Sequence, residues 1–264
     1  MKTARFCQAI GLFLTLGLLF PLSELSGAQF TYAEKTTAGD QVELFDSTAD
    51  MQSGTTSANA TFTWNSQDLF LGIGFDGSDY ITMWNNATPI VYDTLNDLAT
   101  NTQKQLGTPW AGSTFHIFGV AADGEGNVHV LWDDGSNEAI YSYTLANFLS
   151  GNQTGRQTQN LNWDPSASNI LDFGYDGSTV YFAIEEPGGD NTIATYASLA
   201  AAGAASNILT DGAQIDVGTA AGAPDFAGGA GFAVTPVPEP TTYLLTTGLL
   251  LGVVTLRRRT QKAA

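Results

Sequence analysis

Three landmarks recur in the same order three times along this chain, and a repeat of that period limits the fold more than any composition does. Trp64, Trp110 and Trp163 are each followed, 12 or 13 residues on, by an Asp-Gly pair: Asp76-Gly77, Asp123-Gly124 and Asp176-Gly177. The tryptophans stand 46 and 53 residues apart, and the pairs 47 and 53. Each unit closes on a related run that contains a tyrosine and ends in leucine: Ile90 to Leu95, Ile140 to Leu145 and Ile193 to Leu199. Within a unit, Phe70 to Phe75 or Ile170 to Tyr175 reads as a strand, and the Asp-Gly pair predicts a tight primed hairpin turn with positive φ. Tyr80 to Trp84, Val128 to Trp132 and Val180 to Ile184 read as return strands. A polar turn then leads into the tyrosine-bearing strand, and a fourth strand or short helix fills the connection to the next tryptophan.

Sheets of roughly 40 to 50 residues with a recurrent aromatic resemble the blades of a β-propeller. The segments Tyr32 to Lys35 and Gly39 to Asp46 match the second half of a unit, most closely Phe182 to Glu185 with Gly189 to Tyr196. Gly229 to Val234 supplies a matching first half. The expectation is therefore an all-β, four-bladed repeat over 29–235, its last blade shared between the two ends of the chain so that no sheet edge is left open inside the ring. A β-sandwich is the alternative. The Ala- and Gly-rich stretch from Ala200 to Ala230 reads as a surface loop or linker.

The two ends read as addresses. Lys2 and Arg5 precede an apolar stretch from Ala9 to Leu22, followed by Ser26-Gly27-Ala28, small residues where a signal peptidase reads. This is a Sec-type signal peptide over 1–28, cut after Ala28. Cys7, the only cysteine, lies inside it, so the mature chain has none and disulfides do not enter the fold. At the other end, Val237-Pro238-Glu239-Pro240 precedes an apolar run from Tyr243 to Leu256, and Arg257, Arg258 and Arg259 follow at once. The 14 residues of that run reach about 21 Å as a helix. Starting at Thr241 and letting the arginines snorkel, a helix over 241–256 nearly spans a bilayer, with the arginine end in the cytoplasm.

The order of Pro-Glu-Pro segment, apolar helix and terminal arginine cluster over 236–264, paired with a signal peptide, resembles the PEP-CTERM sorting signal of Gram-negative bacteria that make exopolysaccharide. The resemblance implies recognition by an exosortase, a membrane enzyme that cleaves near the motif and releases or transfers its substrate. It implies nothing about the region between the two ends. The prolines flanking Glu239 hold the backbone extended, in a form that a processing enzyme can bind.

Over 29–240 three basic residues, Lys35, Lys104 and Arg156, face 25 acidic ones, a formal charge of -22. Such a surface argues against nucleic acid, whose phosphates need a basic face. It also makes Ca2+ the natural cofactor to test. Asp123, Glu125 and Asn127 place oxygen-bearing side chains at alternate positions, the donor chemistry calcium takes, although hairpin turns call for the same residue types. Of the two histidines, His116 and His129, the second alternates with Val128 and Val130, which predicts an exposed strand position. Glu185 and Glu186 are adjacent on a strand and point to opposite faces, so they cannot flank one glycosidic bond. Trp84 and Trp132 sit on return strands where the third unit has Ile184, which makes them the candidates for stacking on a sugar, whereas Trp64, Trp110 and Trp163 read as packing residues. The resulting expectation is an exported surface or matrix protein, sorted through its tail, with a binding or structural module associated with exopolysaccharide. A polysaccharide-acting enzyme on the same scaffold is the rival class.

Overall fold

The computed structural model describes residues 28–36, 39–63, 70–84, 87–110, 117–133, 138–165, 169–185, 191–217 and 229–235. The residues up to 27, expected to be a signal peptide, and 236–264, expected to be a sorting segment, lie outside them, as do Trp64, His116 and Glu186. Among the described residues no helix is long and apolar enough to cross a membrane.

Among the described residues sixteen strands form four antiparallel sheets of four. The first runs from β16 (Gly229–Val234) through β1 (Phe30–Thr36) and β2 (Gly39–Phe45) to β3 (Ala58–Thr61). The second is β4 (Phe70–Phe75), β5 (Tyr80–Trp84), β6 (Pro89–Tyr92) and β7 (Gln105–Leu106). The third is β8 (Ile117–Ala122), β9 (Asn127–Asp133), β10 (Glu138–Thr144) and β11 (Gln157–Asn160). The fourth is β12 (Ile170–Tyr175), β13 (Val180–Glu185), β14 (Asn191–Tyr196) and β15 (Ala213–Asp216). The leading strands meet in a ring, β4 beside β8, β8 beside β12, β12 beside β16 and β16 beside β4. This is a four-bladed β-propeller. The C-terminal strand pairs with the N-terminal one, Phe30 opposite Val234 and Tyr32 opposite Phe232, so the first blade is built from both ends of the chain.

Each blade is sandwiched between two others, and four apolar clusters correspond to the four contacts. Ala33, Val42 and Ala233 meet Ile73, Ile90 and Leu98 between the first and second blades. Ile81, Met83 and Val91 meet Val120, Val130 and Tyr141 between the second and third. Leu131 and Ile140 meet Phe173, Phe182 and Ala194 between the third and fourth, and Ala183 and Ile193 meet Phe30, Phe45 and Phe232 where the ring closes. Because both faces of a blade are covered, β6 is buried at all four positions, and inner strands need no apolar-polar alternation. This corrects the expectation for His129. It faces away from Val128 and Val130, yet that face abuts the fourth blade and the residue is only 4% exposed.

A short helix follows the third strand of every blade: α1 (Thr48–Ser53), α2 (Leu95–Thr100), α3 (Leu145–Ser150) and α4 (Leu199–Ala204). The hydroxyls of Ser47, Thr94, Thr144 and Ser198 accept the N–H three residues on and cap each one. This is why a threonine or serine precedes the leucine that ends the repeat. Each helix also holds the previous blade at the rim. Thr63 N–H donates to Ala99 O at 3.0 Å, Thr108 to Leu149 at 2.7 Å and Asn162 to Gly203 at 3.0 Å, while Gln52 Nε2 reaches Asp216 O at 2.6 Å across the closure. The stretch from Ala200 departs from its expected loop: up to Val217 it supplies most of α4 and all of β15, while 218–228 lie outside the described residues. Alanines suit a helix pressed against a neighbouring blade, and an outermost strand with one face in water needs few apolar residues.

The axis is built from one register position. In the second, third and fourth blades the leading strand bulges just before Gly72, Gly119 and Asp172, and Gly231 holds the corresponding place in β16. Asp172 projects into the centre and is fully buried. Its Oδ1 accepts the N–H groups of Val120 (2.9 Å) and Phe173 (2.7 Å), and its Oδ2 those of Ile73 (2.8 Å) and Phe232 (2.9 Å), one from each blade. The three glycines leave the room. A Cβ on Gly119 would fall on the Asp172 carboxylate, one on Gly72 on the backbone N of Val120, and one on Gly231 2.6 Å from Ile73 Cγ1. Burial pushes the Asp172 pKa up, while the N–H groups of Phe232, Ile73, Phe173 and Val120 favour the anion and work against it.

Candidate functional site

The Asp-Gly pairs build the hairpins between the first and second strands of three blades. Asp76 Oδ1 accepts Ser78 N–H at 2.9 Å and Asp79 N–H at 2.7 Å, and Asp176 Oδ1 repeats this with Ser178 (2.9 Å) and Thr179 (2.6 Å). Gly77 and Gly177 take φ of 94° and 91°, the positive values the turn needs. The longer third-blade loop carries Asp123, Glu125 and Asn127. Its hub is Asp123, whose Oδ1 accepts the N–H groups of Glu125 (2.8 Å) and Asn127 (3.0 Å) and whose Oδ2 accepts Asn127 Nδ2 (2.7 Å). The structure thus brings the trio together through N–H donors to one carboxylate, and Glu125 stands exposed. Among the described residues no group of three or more His, Cys, Asp or Glu could hold a metal ion.

Beside this loop is an arrangement that the sequence did not disclose. His129 Nδ1 lies 2.8 Å from Ser142 Oγ, directly opposite in register, and Nε2 lies 3.5 Å from Asp123 Oδ2, too long for a hydrogen bond but close for an electrostatic contact. Tyr175 of the fourth blade meets the imidazole edge-on at 5.0 Å. Burial works to raise the Asp123 pKa, but the His129 ring, the Asn127 amide and the N–H groups of Asn127 and Glu125 outweigh it and hold the carboxyl well below the usual range. Burial, with Asp123, Asp176 and Glu125 nearby, pushes Tyr175 the other way. Serine, histidine and aspartate stand in line here, but the imidazole is sealed between two blades, so the line works as a polar bracket across their contact. The pairing of positions 129 and 142 was the available signal, and it needs the register of β9 and β10 to be read.

Four of the five tryptophans lie among the described residues. Trp110 and Trp163 are 4% and 6% exposed, and their indole N–H groups donate to Phe148 O (2.9 Å) and Ala202 O (2.8 Å), tying each to the helix of its own blade. Trp84 and Trp132 hold the same register position, opposite Phe70 and Ile117, where Ile184 faces Ile170. Both are half-buried, Trp84 against the contact of the first two blades and Trp132 against that of the second and third. Trp132 has Tyr141 at 6.0 Å, and the guanidinium carbon of Arg156 lies 3.7 Å from the centre of the Tyr141 ring. Of the predicted processing residues, Ala28 is at the edge of the described chain, while Ser26, Val237, Pro238, Glu239, Pro240 and Arg257 to Arg259 lie outside it.

No protein-family model matches the chain, and comparison with curated proteins gives no match. Among solved structures, a chain of a nidogen/laminin complex aligns at TM-score 0.38 and 9% identity over 81% of this chain and 100% of its own. A protein of unknown function from Bacteroides caccae aligns at TM-score 0.31 and 8% identity, over 64% of this chain and 65% of its own. YCF48 bound to D1 peptide aligns at TM-score 0.28 and 10% identity, over 59% and 57%. Scores of this size say nothing of function, and the four-bladed architecture rests on the strand order itself.

Proposed function

We propose that this chain is an exported bacterial protein whose signal peptide is removed after Ala28, whose tail is processed by an exosortase near Pro238-Glu239-Pro240, and whose ring serves as a binding or structural module at the cell surface or in an exopolysaccharide matrix. One observation supports the reading most directly. The Thr235 N–H donates to Gln29 O at 2.8 Å, so the closed ring begins and ends at one point. The two processing points read from the sequence fall just outside that point on either side. Cutting at both would release a complete propeller, and neither cut would touch a strand.

The test is the intact mass of the protein from culture medium and from membranes, in cells with and without the processing enzyme. The expected product starts at Gln29 and ends near the Pro-Glu-Pro segment, and disappears from the medium without the enzyme. A mass that retains Arg257 to Arg259 under both conditions would refute the processing.

A further inference from the structure

Both ends of the ring lie on one particular face of it. In the second, third and fourth blades a hairpin joins the first strand to the second, between Phe75 and Tyr80, Ala122 and Asn127, and Tyr175 and Val180. In the first blade β16 holds the place of those first strands and β1 the place of the second, with Val234 opposite Phe30 where Phe75 faces Tyr80 and Tyr175 faces Val180. The two ends, Gln29 and Thr235, therefore stand where the fourth hairpin would be, on the hairpin face and beside the axis.

That placement fixes how the ring can sit when its tail is in a membrane. Five residues, 236–240, separate Thr235 from the start of the expected helix, and fully extended they span at most about 18 Å. β16 is the innermost strand of its sheet. To turn the ring over, the tether would have to pass β1, β2 and β3 at about 4.8 Å per strand and then run down the length of a strand, about 20 Å, which is roughly twice its reach. The hairpins carry Asp76, Asp79, Asp123, Glu125 and Asp176 and no Lys or Arg of their own. Charge thus does not draw this face to lipid headgroups, and the tether alone keeps it there. The opposite face holds the far ends of the same strands. There Trp84 and Trp132 stand half-buried opposite Phe70 and Ile117.

We infer that the membrane-held form of this protein turns its hairpin face to the lipid surface and presents the opposite face, with Trp84 and Trp132, to the matrix, and that cutting the tail uncovers the hairpin face. This rests on the export and anchoring reading above and adds which surface of the ring each neighbour meets. The experiment uses the full chain with Cys7→Ser, so that one introduced cysteine carries one dye, reconstituted into phosphatidylcholine vesicles with a quencher on the lipid headgroup. Ser78→Cys and Ser178→Cys place the dye on exposed positions of two hairpins. Glu138→Cys and Glu185→Cys place it at half-buried positions on the opposite face, at the start of β10 and the end of β13. Two sites on each face guard against one variant that misfolds. The dyes at 78 and 178 are expected to be quenched at least twofold more than those at 138 and 185. Equal quenching at all four sites, or the reverse order, in chains that float with the vesicles would overturn the orientation and leave the anchor standing. A chain that does not float with the vesicles would overturn the anchor, and the orientation with it.

Discussion

Asp172 does for this ring what a bound ion would otherwise have to do: it supplies one acceptor to each blade at the axis, where backbone N–H groups converge with no strand partner. Asparagine in its place keeps the size but turns an amide toward donors, leaving two N–H groups without acceptors at about 1–3 kcal/mol each. Urea unfolding of Asp172→Asn should show a loss in that range, large beside a total stability of about 5–15 kcal/mol. A change below about 1 kcal/mol would mean that the axis does not depend on the carboxylate. Asp172→Gly should go further, and added formate should raise its melting temperature by refilling the four-donor site. Asp123 gives a different signature. Its pKa is depressed in the fold, so its contribution is complete above the unfolded value of about 4 and fades as pH falls through the lower folded value. The stability gap between wild type and Asp123→Asn should therefore be full at neutral pH and shrink below about pH 4; a gap constant down to pH 2 would contradict the depressed value. Neither role was plain in the linear chain. Asp172 stands in Ile-Leu-Asp-Phe-Gly-Tyr like any polar residue in a strand, and shows its meaning only when that strand is laid over Phe-Leu-Gly-Ile-Gly-Phe, Ile-Phe-Gly-Val-Ala-Ala and Gly-Ala-Gly-Phe-Ala-Val, where glycine holds the same place.

Strands and turns were far easier to read, because their causes are local. Asp-Gly needs a positive φ wherever it falls, and a threonine or serine before leucine caps a helix whatever lies around it. Thr94→Ala and Ser198→Ala should each cost about 1 kcal/mol, measured by thermal or urea unfolding, with the ring otherwise intact. The central glycines act through contact between strands, so their cost depends on what faces them. A Cβ on Gly74 would come 2.9 Å from backbone atoms of Ala121 and Ala122, which cannot move aside as a flexible side chain can. Gly74→Ala should thus lose about 1–3 kcal/mol, and a neutral result would show that β4 and β8 slide apart freely. The same dependence on neighbours explains the misread elements. Alternation around His129 implies an exposed position only where one face of the sheet is wet, and the Ala-rich run beyond Ala200 reads as a loop because its helix and edge strand draw their apolar contacts from other blades.

Closure is where sequence and architecture agree most closely, since only the halves at Tyr32–Asp46 and Gly229–Val234 could complete a fourth unit, and the structure pairs them. That agreement sets a limit on where the chain can be cut. Without β16 the Asp172 Oδ2 loses the Phe232 N–H, β1 keeps β2 but loses its inner partner, and the apolar side chains Phe232 and Val234 leave the cluster holding Phe30 and Phe45. Removing two such side chains forfeits about 1.5–3 kcal/mol each, before the broken strand pairing and the two newly exposed blade faces are counted. A chain spanning 29–235 should therefore unfold in one cooperative transition, while 29–228 should show no such transition and should bind a dye for exposed apolar surface. Adding a peptide of residues 229–235 to the shorter chain should restore part of the transition, because the missing strand docks into a site shaped by the other fifteen. If 29–228 melts as sharply as 29–235, closure through the C-terminal strand is dispensable and a cut could reach into the ring; if it does not, any cut that leaves the ring folded must fall beyond Val234.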